Sequence, residues 1–94
     1  MASTQYERIR EAVLNQRYTL TEHAYEEMDD DNLDVLDVES AILTGRLEQT
    51  LTRDPRGTRY VIVGTATDEL TTVGVVVRFV EHEQLLVLTV YEVK

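Results

Sequence analysis

A change of hydrophobic pattern at Arg46 divides the chain into a helical half and a stranded half. Before Arg46, apolar residues recur every three or four positions, as they do in amphipathic helices. After it, turn signals separate four segments rich in β-branched residues, at 46–52, 58–66, 72–80 and 85–91. The sequence therefore predicts an α+β fold, with two or three N-terminal helices packed on one face of a four-stranded antiparallel sheet.

Three stretches of the first half begin with a residue that favours a helix N-cap, because its side-chain oxygen accepts a backbone N–H. Each is followed by apolar residues at helical spacing. A short extended stretch, residues 17–20, connects the first predicted helix to the second. The predicted helices run from Thr4 to about Asn15, from Glu22 to about Asp30, and from Asp34 to Gly45.

The third predicted strand, residues 72–80, is apolar at both its odd and its even positions. Side chains alternate between the two faces of a sheet, so this pattern indicates an interior strand that is covered on both sides. Helices can cover only one of these faces in the predicted fold. We therefore expect a ligand, a partner protein or a second copy of the chain on the other face.

The length and composition favour one cytoplasmic domain spanning residues 1–94. A chain of 94 residues has enough surface to bury a single core. It contains no cysteine, which excludes disulfides, thiolate metal sites and cysteine nucleophiles and suits a reducing compartment. The sequence shows neither a signal-peptide pattern nor an apolar run long enough to span a membrane.

The net charge of −9 is concentrated in the first half of the chain. Residues 1–50 hold 12 acidic and 4 basic residues, whereas residues 51–94 hold 6 acidic and 5 basic residues. An acidic surface repels phosphate, so the overall charge counts against RNA as a partner. Arg53, Arg56 and Arg59 form a local basic group around a turn predicted from "DPRG", and this group offers a site for an anion.

The acidic run after His23 does not fit a metal site. A calcium loop beginning at Asp30 would need glycine and glutamate where Val35 and Ala41 stand. His23 and Glu27 lie one helical turn apart, but the only other histidine lies in a distant turn, so zinc lacks ligands. We predict no metal and no other cofactor. We interpret the acidic run as a solvated helix face formed by Glu26, Glu27, Asp29, Asp30 and Asp31.

Several side chains suit chemistry, and each also has a structural interpretation. The imidazole of His23 fits a general base or a proton donor, but a local pair with Glu27 would equally satisfy it. Arg59 and Arg78 interrupt apolar strands, where an unpaired charge is costly. Each must therefore reach solvent, a bound anion or a carboxylate such as Glu92.

The order and spacing of five segments resemble the small bacterial family called domain of unknown function 4258: "HAYEEM", "VLDVESAILTGRLEQ", "RDPRGTRYVIVG", "VVVRF" and "LTVYE". The resemblance extends from about Arg17 to Lys94. This family is similar to the RelE, BrnT and MqsR group, small toxins of bacterial toxin–antitoxin pairs that cleave messenger RNA without a metal. The resemblance implies helices packed on an antiparallel sheet and a cognate antitoxin as partner.

The resemblance also implies a reaction in which a ribose 2′-hydroxyl attacks the neighbouring phosphate. His23 would be the base or the acid, and Arg59 and Arg78 would hold the phosphate. Tyr91 would position the substrate or donate a proton, although it equally fits a half-buried aromatic residue of the last strand. The alternative is a non-catalytic module that binds a basic protein through its acidic helices.

Overall fold

A computed structural model describes residues 4–94, which form three α-helices and a five-stranded mixed sheet. The elements are α1 (Gln5–Leu14), β1 (Tyr18–Leu20), α2 (Glu22–Asp30), α3 (Val35–Thr44), β2 (Arg46–Leu51), β3 (Arg59–Thr65), β4 (Thr72–Val80), a 3₁₀ turn (Glu81–Glu83) and β5 (Gln84–Glu92). No helix within residues 4–94 combines the length and the apolar composition needed to cross a membrane.

The helices begin where the capping residues predicted them to begin. The Thr21 hydroxyl accepts the Ala24 N–H at 3.1 Å, and Thr4 caps α1 in the same way. Asp34 and Asp37 form a reciprocal capping box at the start of α3, each side chain accepting the other residue's backbone N–H. Each cap satisfies an N–H that has no partner inside the helix, which fixes the first turn locally.

The strands lie in the order β1-β5-β4-β3-β2, with β4 in the interior as predicted. Strands β2 to β5 pair with antiparallel neighbours. The prediction of a four-stranded, purely antiparallel sheet is wrong, because β1 adds a fifth strand parallel to β5, with Tyr18 opposite Leu85. This strand has only three residues and its partner lies near the other end of the chain, so no local pattern indicates it.

The core lies between the helices and one face of the sheet. Val73, Val75 and Val77 of β4 point to this face and are fully buried. They belong to one apolar cluster with residues of all three helices, including Ile9 and Ile42. The three helices therefore pack on the same face of the sheet, which leaves the side chains of the other parity on the opposite side.

We call that opposite side the open face. Val61 and Val76 are register partners there, and Val61 is buried although it is not part of the core cluster. Arg59 and Arg78 have the same parity as these valines and lie further along the same two strands. The open face thus combines apolar side chains with two of the arginines singled out in the sequence.

Candidate functional site

Arg59 and Arg78 are direct cross-strand partners at one end of the open face. Two like charges in this arrangement repel each other unless an opposite charge compensates them. Arg59 Nε lies 3.3 Å from Asp54 Oδ2, whereas Arg78 forms no ion pair with any residue of the described range 4–94. Glu92, considered as a partner from the sequence, lies on β5 opposite Val73 of β4 and forms no ion pair within residues 4–94.

The turn between β2 and β3 places further charged groups beside this pair. Gly57 N–H donates to the Asp54 carbonyl oxygen at 3.0 Å, and Arg56 N–H donates to Asp54 Oδ1 at 2.9 Å. Pro55 lies at the second position of this turn, and Gly57, where the chain leaves it, has φ +127°, a conformation that favours glycine. Arg78 Cδ lies 3.5 Å from the position that a Cβ on Gly57 would take, so the arginine side chain lies beside this turn.

A cavity of about 520 Å³ opens beside the turn, and we call it the arginine pocket. Its lining contains three arginines and one carboxylate, a net charge of +2. The carboxylate of Asp54 is 6% exposed and lies 3.3 Å from Arg56 Nε and from Arg59 Nε. The backbone N–H of Arg56, and then the two guanidinium groups, hold the pKa of Asp54 below its ordinary value. The pocket is lined by Thr50, Leu51, Thr52, Arg53, Asp54, Arg56 and Arg59.

His23 lies in the first turn of α2, and its side chain is 65% exposed. Its Nε2 is 3.4 Å from Glu27 Oε1, so the local pair that the spacing indicates is present. The same Glu27 oxygen accepts the Val90 N–H of β5 at 3.0 Å. Glu27 therefore fixes the imidazole at the edge of the sheet and leaves most of it open to solvent.

The edge of β5 shows a role for acidic residues that the sequence analysis missed. Strand β1 pairs with β5 only as far as Val87. Beyond it, Val90 N–H donates to Glu27 and Glu92 N–H donates to Asp31 Oδ2, both at 3.0 Å. The interpretation of these two carboxylates as a solvated face is wrong, because they replace a neighbouring strand. No sequence spacing indicates such contacts, since they join residues about sixty positions apart.

Tyr91 lies on the open face, opposite Gly74 of β4. Its ring occupies the space above this glycine, where a Cβ would come within 2.2 Å of Tyr91 Cζ. Gly74 is four positions from Arg78, which separates Tyr91 from the arginine pair by about 14 Å along the strands. The structure thus brings Arg59 and Arg78 together, puts Tyr91 further along the same face and holds His23 at the sheet edge.

The described residues do not form a recognisable metal centre. Across positions 4–94, no three side chains of histidine, aspartate or glutamate come together in a way that could hold an ion.

The sequence analysis also left Arg53 and Arg56 outside the candidate site, although it noted them as a basic group. The antiparallel pairing of Leu51 with Arg59 is what brings these turn arginines beside the strand arginines.

Fold and site together define a small α+β domain with an arginine-lined pocket at one end of an open sheet face. The chain belongs to the family described as "Domain of unknown function (DUF4258)", whose sequence model matches residues 20–92. This match confirms the predicted family, and it includes α2, the turn at Asp54 and the whole open face. The chain matches no curated protein and no solved structure.

Proposed function

We propose that the chain binds single-stranded RNA on its open face and cleaves it without a metal, as a toxin-like endoribonuclease related to the RelE, BrnT and MqsR group. The observation that supports this proposal is the cross-strand pair of Arg59 and Arg78 on a surface that the helices leave uncovered. A guanidinium group presents planar, paired donors that match phosphate oxygens. Two such groups side by side suit a nucleic-acid backbone despite the net charge of −9.

In the proposed reaction, His23 removes the proton of a ribose 2′-hydroxyl, and the oxygen attacks the adjacent phosphorus. The bond to the 5′ oxygen breaks, and His23 returns the proton to this leaving group. Arg59 and Arg78 hold the RNA backbone through another phosphate of the same strand, because this pair lies apart from His23 at the sheet edge. The products are a 2′,3′-cyclic phosphate and a 5′-hydroxyl.

Two further residues support these roles by position. Glu27 lies 3.4 Å from His23 Nε2 and is itself held by the Val90 N–H, so it can orient the imidazole. Tyr91 lies on the open face beyond the arginine pair, where an aromatic ring can stack on a base of the bound strand. We assign Tyr91 to substrate positioning because of its distance from the arginines.

Incubation of the purified chain with end-labelled RNA, free and on ribosomes, tests the proposal. We expect fragments with cyclic phosphate ends that form equally well in the presence of a chelator. Replacing a general base slows such a reaction by about 10²-fold or more, so His23→Gln should slow cleavage to this extent. Arg46→Gln is a matched control, because Arg46 is 84% exposed and pairs with Glu48 on β2. Intact RNA beside folded wild-type protein would contradict the proposal.

A second candidate is a non-catalytic module that binds a basic protein through its acidic helices. Its support is Tyr25, which is 52% exposed on α2 among carboxylates and resembles the aromatic anchors of protein interfaces. The exposed carboxylates near it are Glu22, Glu26, Asp29 and Asp30.

Charge reversal on α2 separates the two candidates. The double variant Glu26→Lys and Asp30→Lys changes only exposed groups. It keeps the hydrogen bonds that Glu27 and Asp31 accept from β5. It should abolish binding to a basic protein if the second function holds, and it should strengthen RNA binding if the first one does. A neighbouring gene for a zinc-finger and helix-turn-helix antitoxin would favour the toxin-like function.

A further inference from the structure

We infer that the arginine pocket binds one nucleotide through its phosphate group. The inference rests on the proposed function and deepens it, since a nucleotide in this pocket would lie next to the backbone phosphate held at Arg78. The inferred site includes Arg53, Arg56 and the end of β2. Its ligand is a nucleoside monophosphate unit. The shared chemistry is the phosphate, whether on a free nucleotide or on a residue of an RNA chain.

The charges around the pocket favour an anion. Arg56 and Arg59 share a single carboxylate, that of Asp54. Neither Arg53 nor Arg78 has an ion-pair partner in the described part of the chain, residues 4–94. Four guanidinium groups therefore share one negative charge, in a protein whose net charge is −9. Mutual repulsion of the cations is relieved when a phosphate binds among them.

The guanidinium group of Arg59 is held by charge rather than by a hydrogen bond. Its side chain is 40% exposed, whereas its Nε is buried, lies 3.3 Å from Asp54 and forms no hydrogen bond within residues 4–94. Asp54 thus orients this guanidinium through charge without taking up its hydrogen bonds. Asp54 is itself fixed by the Arg56 N–H, so the pocket is ordered before a ligand arrives. Such preorganisation lowers the entropy lost on binding.

The size and the other lining residues favour a nucleotide over a bare phosphate ion. A volume of about 520 Å³ lies within the range that small-molecule sites have. Leu51 supplies an apolar wall, and Thr50 and Thr52 add hydroxyl groups beside the arginines. An apolar surface with a few polar groups suits a base and a ribose, while the guanidinium groups take the phosphate.

The pocket adjoins the arginine pair on the open face through Arg59, which lines the pocket and is also the cross-strand partner of Arg78. The Arg78 side chain lies beside Gly57, in the turn that also contains the pocket residues Asp54 and Arg56. A single strand of RNA can therefore bind with one nucleotide in the pocket and its next phosphate at Arg78.

Calorimetric titration with adenosine 5′-monophosphate and with adenosine tests the inference. We expect the monophosphate to bind at least tenfold more tightly than adenosine, and Arg53→Gln to weaken it about tenfold, or about 1.4 kcal/mol. Arg46→Gln removes the same charge from an exposed position at the start of β2, outside the pocket, and should leave the affinity unchanged. Circular dichroism shows whether each variant is folded. Equal binding of adenosine, no binding of the monophosphate, or equal losses in the two variants would overturn the inference.

Competition identifies the source of the phosphate. If a short single-stranded RNA displaces the monophosphate, a nucleotide of the RNA occupies the pocket. If the monophosphate stays bound, the ligand is the free nucleotide. The RNA cleavage assay remains independent of this titration. Monophosphate binding without cleavage would support the pocket and contradict the endoribonuclease, and cleavage without monophosphate binding would do the reverse.

Discussion

Asp54 shows how one residue can order a site without contacting a substrate. Its side chain accepts the Arg56 N–H within the turn and lies beside the guanidinium groups of Arg56 and Arg59. These contacts favour its ionised form, and its pKa is lowered for that reason. The residue therefore couples the shape of the turn to the direction of the arginines, while leaving the pocket with an excess of positive charge.

The stability difference between wild type and Asp54→Asn should depend on pH. A carboxyl group whose pKa is lowered in the folded protein stabilises it above the unfolded value of 3.8, and this contribution disappears as pH falls through the lowered pKa. Urea unfolding should therefore show the variant less stable than wild type at pH 7 and nearly equal to it well below pH 3.8. Asp29→Asn, at an exposed position on α2, is the control. A difference that stays constant over this range would contradict the role of Asp54.

At the scale of the elements, α2 occupies the position that a further strand would take beside the second half of β5. Beyond Val87, no strand of the described residues pairs with the outer edge of β5. Unpaired strand edges can pair with other chains. Glu27 and Asp31 accept two of these N–H groups, and Thr21 donates its hydroxyl to the Leu88 carbonyl. The helix thereby closes this edge and places His23 beside the sheet.

Removing the Glu27 carboxylate should loosen this edge. Glu27→Ala leaves the Val90 N–H without its partner, which costs about 1–3 kcal/mol of unfolding free energy. Glu26→Ala, an exposed neighbour on the same helix, should change stability by less than about 0.5 kcal/mol. Glu27→Gln keeps a carbonyl acceptor and should recover much of the loss. Chemical denaturation measures all three variants, and amide exchange at Val90 should accelerate only in the alanine variant of Glu27. Equal stabilities of the two alanine variants would refute this function of α2.

The elements also show which parts of the structure the sequence can predict. The sequence predicts the helix caps at Thr21 and Asp34 and the turn at Gly57, because each of these depends only on neighbouring residues. Strand β1 and the bonds from Glu27 to β5 join distant segments, and no local pattern encodes them. The same limit applies to the candidate site, because Arg59 and Arg78 can be singled out as residues but only the strand register makes them neighbours.

Over the whole molecule, acidic residues and the main group of basic residues are separated. Acidic residues dominate the helical half, whereas four of the arginines gather at one end of the stranded half: Arg53, Arg56, Arg59 and Arg78. The helices cover only one face of the sheet, and the open face presents Val61 and Val76 beside these cations. An acidic body repels nucleic acid everywhere except near this end, which restricts a bound phosphate backbone to one place.

The salt dependence of RNA affinity tests this account most directly. Each phosphate contact on a single strand contributes about −0.7 to the slope of log affinity against log salt concentration. Fluorescence titration of a labelled RNA should therefore give a slope that is shallower by about 1.4 for the double variant Arg59→Gln and Arg78→Gln, with weaker binding at every salt concentration. Arg46→Gln should keep the wild-type slope. An unchanged slope in the folded double variant, or an equal change in Arg46→Gln, would show that the arginine pair is not where RNA binds.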